Sequence, residues 1–99
     1  MILNIKKTQV DLSDHEKDII EEKISGLTKY FDNIIAADIE VGLTSQHHNK
    51  GNIYRAEVNL SVPNKILRAE AETESIEKSM NIVKDILKRE LVEYKEKMR

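Results

Sequence analysis

Tyr54-Arg55-Ala56-Glu57-Val58-Asn59-Leu60-Ser61-Val62-Pro63-Asn64-Lys65-Ile66-Leu67-Arg68-Ala69-Glu70-Ala71-Glu72 carries a period of two. Tyr54, Ala56, Val58, Leu60 and Val62 point one way, and Arg55, Glu57, Asn59 and Ser61 point the other. Such alternation predicts strands with one dry and one wet face. Pro63-Asn64 is a turn signal, since proline is excluded from a central strand. After it Leu67, Ala69 and Ala71 alternate with Arg68, Glu70 and Glu72. Upstream, Ala37, Ile39, Val41 and Leu43 alternate with Asp38, Glu40 and Gly42. The three runs read as an antiparallel meander. Thr44 to Asn52, polar and containing His47, His48, Asn49, Lys50 and Gly51, reads as the loop between the first two.

Helical periods flank the meander. Ser13-Asp14-His15-Glu16 has the capping-box spacing: the hydroxyl accepts from the Glu16 backbone, and the Glu16 side chain reaches back. Ile20, Ile24, Leu27 and Phe31 then recur on one face, predicting four to five turns that end at Asp32-Asn33. At the other end Ile76, Met80, Val83, Leu87, Leu91, Tyr94 and Met98 step by three or four. This predicts a long helix with Thr73 as its N-cap and Glu74 and Glu77 near its positive pole. Ile2 to Lys6 is short and β-branched, and reads as a first strand. The order is β-α-β-β-β-α. It predicts an α+β two-layer sandwich, a four-stranded sheet with two helices on one face, in a single domain over 1–99.

Composition narrows the function. The chain has 99 residues, no cysteine or tryptophan, one proline and three glycines. A thiol nucleophile, a disulfide framework and a cysteine-based zinc site are excluded. The stretch Met1 to Ile5 is too short for a signal peptide. No apolar run approaches the ~20 residues of a membrane span, so the expected compartment is the cytoplasm. No glycine-rich loop joins a strand to a helix, so nucleotide-binding fingerprints are missing. Ser13 beside His15 pairs a nucleophile with a base, but a serine there serves better as a cap. Adjacent histidines at His47-His48 point oppositely on a strand, and exposed loop residues are the expectation rather than a metal site. No catalytic residue, metal or cofactor is expected.

A formal net charge of −2 argues mildly against nucleic acid. Its distribution argues otherwise. Up to Lys50 there are 6 basic and 9 acidic residues, whereas from Lys78 to Arg99 there are 7 basic and 4 acidic. On a helical wheel with Leu87 at zero, Lys84, Lys88, Lys95 and Arg99 fall between about 60° and 120°. From Met80 onward no acidic residue shares that sector. Such a flank suits a phosphate backbone, and equally a solvated helix face whose lysine stems shield the core edge. The open face of the sheet, with Arg55, Glu57, Asn59, Arg68, Glu70 and Glu72, is mixed in sign and suits a protein partner. A protein-interaction regulatory module using that face is therefore the alternative to RNA binding.

Several strings, in order, resemble the ribosome hibernation-promoting factor family, also called ribosome-associated inhibitor or sigma-54 modulation proteins. Ile2-Leu3-Asn4-Ile5-Lys6 is similar to its first strand. Lys23-Ile24-Ser25-Gly26-Leu27-Thr28-Lys29-Tyr30-Phe31-Asp32-Asn33-Ile34 resembles its helix-end pattern. Ala56-Glu57-Val58 and Leu67-Arg68-Ala69-Glu70-Ala71 are similar to its third and fourth strands. Asp85, Leu87, Arg89, Leu91, Tyr94, Lys95 and Lys97 fit its closing helix. The resemblance implies a fold similar to double-stranded RNA-binding domains and no enzymatic activity. It implies binding to the small ribosomal subunit and its ribosomal RNA, in the channel of messenger RNA and the A- and P-site transfer RNAs. Translation would be blocked and idle ribosomes protected, under stress or in stationary phase, with a ribosome-dimerising protein as a further partner. By position, the RNA-binding cations it implies are Lys23, Lys29, Lys84, Lys88, Arg89, Lys95 and Lys97, while Tyr30 and Tyr94 are packing residues. The chain departs from the family pattern at Ser75, Glu77 and Ser79-Met80-Asn81, where an Asp, an aromatic and Ala-Ile-Asp are usual. It departs again at Glu90, for a Gln, and at Val92-Glu93, for a basic pair. A short form, or a truncated piece of a longer chain, is the expectation, since the linker and second domain of long members do not follow Arg99 in this sequence.

Overall fold

A computed structural model describes residues 1–47 and 51–98, with the backbone alone over 45–47. Strand β1 spans Ile2–Thr8, helix α1 Asp14–Ser25, β2 Ala36–His47, β3 Gly51–Val62, β4 Lys65–Thr73 and helix α2 Ile76–Lys97. The sheet order is β1-β2-β3-β4. β1 runs parallel to β2, as a strand-helix-strand connection through α1 allows, and the other pairs are antiparallel. The expected α+β sandwich is present, with a mixed sheet.

The period-two alternation sets which face is dry. Ala56, Val58, Leu60 and Val62 of β3 are buried, with Ala37, Ile39 and Val41 of β2 and Leu67 and Ala69 of β4. The helices cover this face with Ile20 and Ile24 of α1, Leu27 just after it, and Met80, Val83, Leu87 and Leu91 of α2. Each such large side chain contributes roughly 1.5–3 kcal/mol through burial. Ser79 is the buried polar residue among those described. Its hydroxyl lies 3.0 Å from the Tyr54 carbonyl oxygen and 2.9 Å from the Thr73 hydroxyl, so burial leaves it bonded.

Three boundaries differ from the sequence reading. The first helix is shorter: after Ser25 the chain tightens into a 3-10 turn, Gly26–Lys29, in which the Tyr30 N–H donates to the Leu27 carbonyl. Glycine is a weak helix former, and the Thr28 hydroxyl donates to the Ser25 carbonyl within that turn. Phe31 therefore packs from beyond the helix. The N-cap of α2 is Ser75 and not Thr73: its side chain accepts from the Lys78 N–H at 3.1 Å. Thr73 ends β4 and uses its hydroxyl on Ser75 and Ser79. The stretch read as a loop from Thr44 to Asn52 is largely strand. The ladder continues through Ser45↔Ile53, Gln46↔Asn52 and His47↔Gly51 after a register shift between Leu43 and Ser45. Backbone pairing needs no apolar residue, so a wet hairpin end leaves no hydropathy signal. The loop reading of His48, Asn49 and Lys50, and any pairing of the His47 and His48 side chains, lie outside the described residues. Ser13 caps α1 as read: its hydroxyl accepts from the Glu16 N–H and Glu16 accepts from the Ser13 N–H, both at 3.1 Å.

Gly42 marks a close approach of β1 and β2. A Cβ there would stand 2.8 Å from the Thr8 carbonyl oxygen and 3.1 Å from its Cβ. Gly42→Ala is expected to push the end of β1 outward and cost about 1–3 kcal/mol. Urea unfolding should show a lower midpoint with an unchanged slope.

Candidate nucleic-acid interface

The helical layer gathers part of the predicted cation set into one seam. Gly26 has no side chain, and Lys84 of α2 occupies the space beside it. Its Nζ is 3.5 Å from where a Gly26 Cβ would stand. One turn further along α2, the Lys88 ammonium lies over the Tyr30 ring, 5.1 Å from its centre. This cation-π contact holds the charge at the junction of the 3-10 turn with α2. Lys23 and Lys29 stand three residues before and after Gly26, in the last turn of α1 and at the end of the 3-10 turn. Lys95, on the same side of α2 by helical periodicity, extends it toward the helix end. Tyr94 is a packing residue, as expected. Its ring meets Phe31 edge-on at 5.3 Å and its hydroxyl donates to the Pro63 carbonyl at 2.5 Å. It thereby fixes the C-terminal part of α2 against the β3–β4 turn.

Arg89 and Lys97 are not brought to the seam. Arg89 is one residue, or about 100°, beyond Lys88 and points away from the sheet. Lys97 lies on the opposite flank, over β4. There it borders a hollow of about 180 Å³ with Lys65, Arg68, Glu90 and Glu93. Lys65 and Arg68 are the cations of this second group that the sequence reading did not place beside the α2 tail. The hairpin turn at Pro63-Asn64 brings them there, and no local pattern announces it.

Helix direction organises the charge. Glu16, Ile19 and Ile20 of α1 line a hollow with Ile76, Glu77 and Met80 of α2, so both N-termini lie at one end. Carboxylates collect there: Asp11, Glu16, Glu74 and Glu77 border an open cleft of about 650 Å³. Lys23 occupies the last turn of α1, and Lys95 and Lys97 the last turn of α2. Asp14, Glu16 and Glu77 in the first turns, and Lys23, Lys95 and Lys97 in the last, thus sit at the poles of the helix dipoles that stabilise them. Among the described residues, no group of three or more histidines, cysteines or carboxylates is arranged to hold a metal ion. No helix among the described residues is long and apolar enough to cross a membrane.

The model of the family described as Sigma 54 modulation protein / S30EA ribosomal protein matches residues 3–99. The chain belongs to this family. It is 33% identical over 97 residues to the ribosome hibernation promoting factor of Azotobacter vinelandii, covering 98% of this chain and 85% of that one. It is 26% identical to the ribosome hibernation promotion factor of Bacillus subtilis, covering 99% of this chain and 50% of that one. The chain thus spans about half the length of the Bacillus relative. Among solved structures, a ribosomal subunit interface protein from Coxiella burnetii superposes with a TM-score of 0.83 at 20% identity, over 96% of this chain and 98% of that one. The Thermus thermophilus Protein Y N-terminal domain gives 0.82 at 20% identity, over 95% and 99%. These last two likenesses establish the family fold.

Glu90 Oε2 is buried and has no hydrogen-bond partner. Burial pushes the Glu90 carboxyl above its ordinary value of 4.5; Lys65 draws it back and Glu93 raises it again. A carboxyl raised on folding stabilises the fold below its unfolded value, and that contribution is lost as pH rises through the folded value. Glu90→Gln is therefore expected to raise stability at neutral pH. It should also remove the Glu90 contribution to the decline expected of the parent as pH rises above 4.5. Thermal unfolding of both proteins across that range checks this.

Proposed function

We propose that this chain is a ribosome hibernation factor whose α1–α2 seam lies on ribosomal RNA of the small subunit. The observation that carries the reading is the placement of Lys84 beside Gly26 and of Lys88 over the Tyr30 ring, against the stretch of chain that bears Lys23 and Lys29. Membership of the S30EA family and the names of its relatives supply the ribosome as the partner. Lysines on a rigid seam form a line of cations that a phosphodiester backbone can follow, and binding releases its counterions. The site proposed is the channel of messenger RNA and the A- and P-site transfer RNAs. Occupying it blocks initiation by exclusion, with no bond made or broken, and shields the idle subunit in the cytoplasm under stress or in stationary phase. Lys23, Lys29, Lys84, Lys88 and Lys95 carry the principal contacts. Arg89 and Lys97, turned elsewhere, contribute to other contacts or to solubility.

Co-sedimentation with purified small subunits tests this. The parent chain is expected to bind at low salt, with affinity falling linearly on a log–log plot. Replacing Lys84, Lys88 and Lys95 by Gln should each reduce the slope by about one. Changing all three to Glu should abolish binding while the circular dichroism spectrum persists. Subunits already loaded with messenger RNA and P-site transfer RNA should bind less. Undiminished binding by the triple variant sinks the seam as the site.

A further inference from the structure

The sheet face turned away from the helices has its own organisation. Strand register lines its side chains into rows. Ile2, Ala36, Ser61 and Ile66 form one row across all four strands, and its end members Ile2 and Ile66 are each 64% exposed. Beyond it the rows carry five carboxylates, Asp38, Glu40, Glu57, Glu70 and Glu72, against Lys6, Arg55 and Arg68.

All three cations are already engaged. Arg55 Nη2 is 2.6 Å from Glu57 and also bonds Glu70, while its Nη1 is 3.7 Å from Glu40. Arg68 is 2.7 Å from Glu57, and Lys6 is 3.7 Å from Glu40. Glu57 is correspondingly held below the usual carboxylate range, first by the Arg68 hydrogen bond, against its own desolvation. Among the described residues, no cation pairs with Asp38 or Glu72. Asp38 accepts from the Asn4 amide at 3.0 Å. A groove of about 320 Å³ runs over this region, bordered by Asn4, Asp38, Glu40, Glu57 and Asn59, and by Lys6, whose ammonium is the one paired with Glu40.

We propose that this face docks an extended protein segment bearing lysine or arginine, whose basic side chains enter the groove at Asp38 and Glu40 and whose apolar side chains cover the Ile2–Ile66 row. The charge balance selects that occupant. Surplus carboxylates repel a phosphate backbone, because each cation present is already paired. A second copy docked face to face would set five carboxylates against five. A cationic segment supplies the missing charge, and the paired arginines hold the acceptors in place before it arrives. The face lies across the sheet from the α1–α2 seam, so the proposal is independent of the RNA reading.

The test is a titration of the full, nitrogen-15-labelled chain with a synthetic peptide of about ten residues alternating arginine with valine and threonine. Amide shifts are expected along the rows of Asn4, Asp38 and Asn59, and at Ile2 and Ile66. The double variant Asp38→Asn, Glu40→Gln should weaken binding about tenfold, equivalent to roughly 1.4 kcal/mol. Ile66→Ser, which leaves every ion pair intact, should weaken it about threefold. Small-subunit co-sedimentation by both variants should equal that of the parent. Three results would overturn the proposal: shifts centred on Asp11, Glu16 and Glu77 at the helix N-termini, equal affinity in the variants, or the same rows responding to a single-stranded RNA oligonucleotide.

Discussion

Everything in this domain depends on the packing of one helical stripe onto one strand face. Met80, Val83, Leu87 and Leu91 of α2 meet Ala56, Val58 and Leu60 of β3 and Leu67 and Ala69 of β4, and all nine are buried. Helix and sheet each bury the apolar set that the other requires. With α2 seated, its remaining faces are assigned by rotation about its axis. One flank meets α1 and the 3-10 turn, the other overhangs β4, and the back is left to solvent. The cationic seam is thus a by-product of core packing, since Lys84 and Lys88 take the flank next to the Leu87 stripe.

Small residues and aromatic edges refine that arrangement. Gly26 ends the regular part of α1 and leaves room for the Lys84 side chain. Tyr30 follows, and its ring faces the Lys88 ammonium. Phe31 then meets Tyr94, whose hydroxyl ties α2 to the turn after β3. Within six residues, from Gly26 to Phe31, the chain changes helix type, seats two lysines and buttresses the end of α2. This explains how an acidic protein presents a basic surface. The helices run with their N-termini together, so Asp11, Glu16, Glu74 and Glu77 gather at one end, while Lys23, Lys95 and Lys97 lie in the last turns at the other. The sheet takes a third part of the charge and neutralises most of it internally through Arg55 and Arg68.

The elements were legible because periodicity reports burial directly. Alternation in β3 and β4 and the three-four stepping of α2 both arise from one buried face, and both survive in the structure. The Ser13–Glu16 capping box was legible for the same reason: its chemistry is complete within four residues. The errors fall where that link breaks. The β2–β3 hairpin extends beyond its apolar residues because backbone hydrogen bonds hold it. The cap of α2 moved from Thr73 to Ser75 because two hydroxyls two residues apart offer the same local chemistry, and β4 claims the first. Of the predicted cations, Lys84, Lys88 and Lys95 share a flank by helical arithmetic alone, and their sequence grouping persists. Arg89 and Lys97 fit a family pattern, but Arg89 stands about 100° beyond Lys88, toward solvent, and Lys97 about 200° beyond Lys95, on the flank over β4.

The sequence by itself determined the order of elements, the dry face of each, and the concentration of cations in the last helix, because each follows from local spacing. Only the tertiary structure decided which surfaces those residues share. It set Gly26 and Tyr30 against Lys84 and Lys88, brought Lys65 and Arg68 beside Lys97, and lined the carboxylates of β2, β3 and β4 into rows. These are contacts between residues tens of positions apart. They depend on the register of the sheet and the rotation of two helices upon it, and no local pattern encodes either.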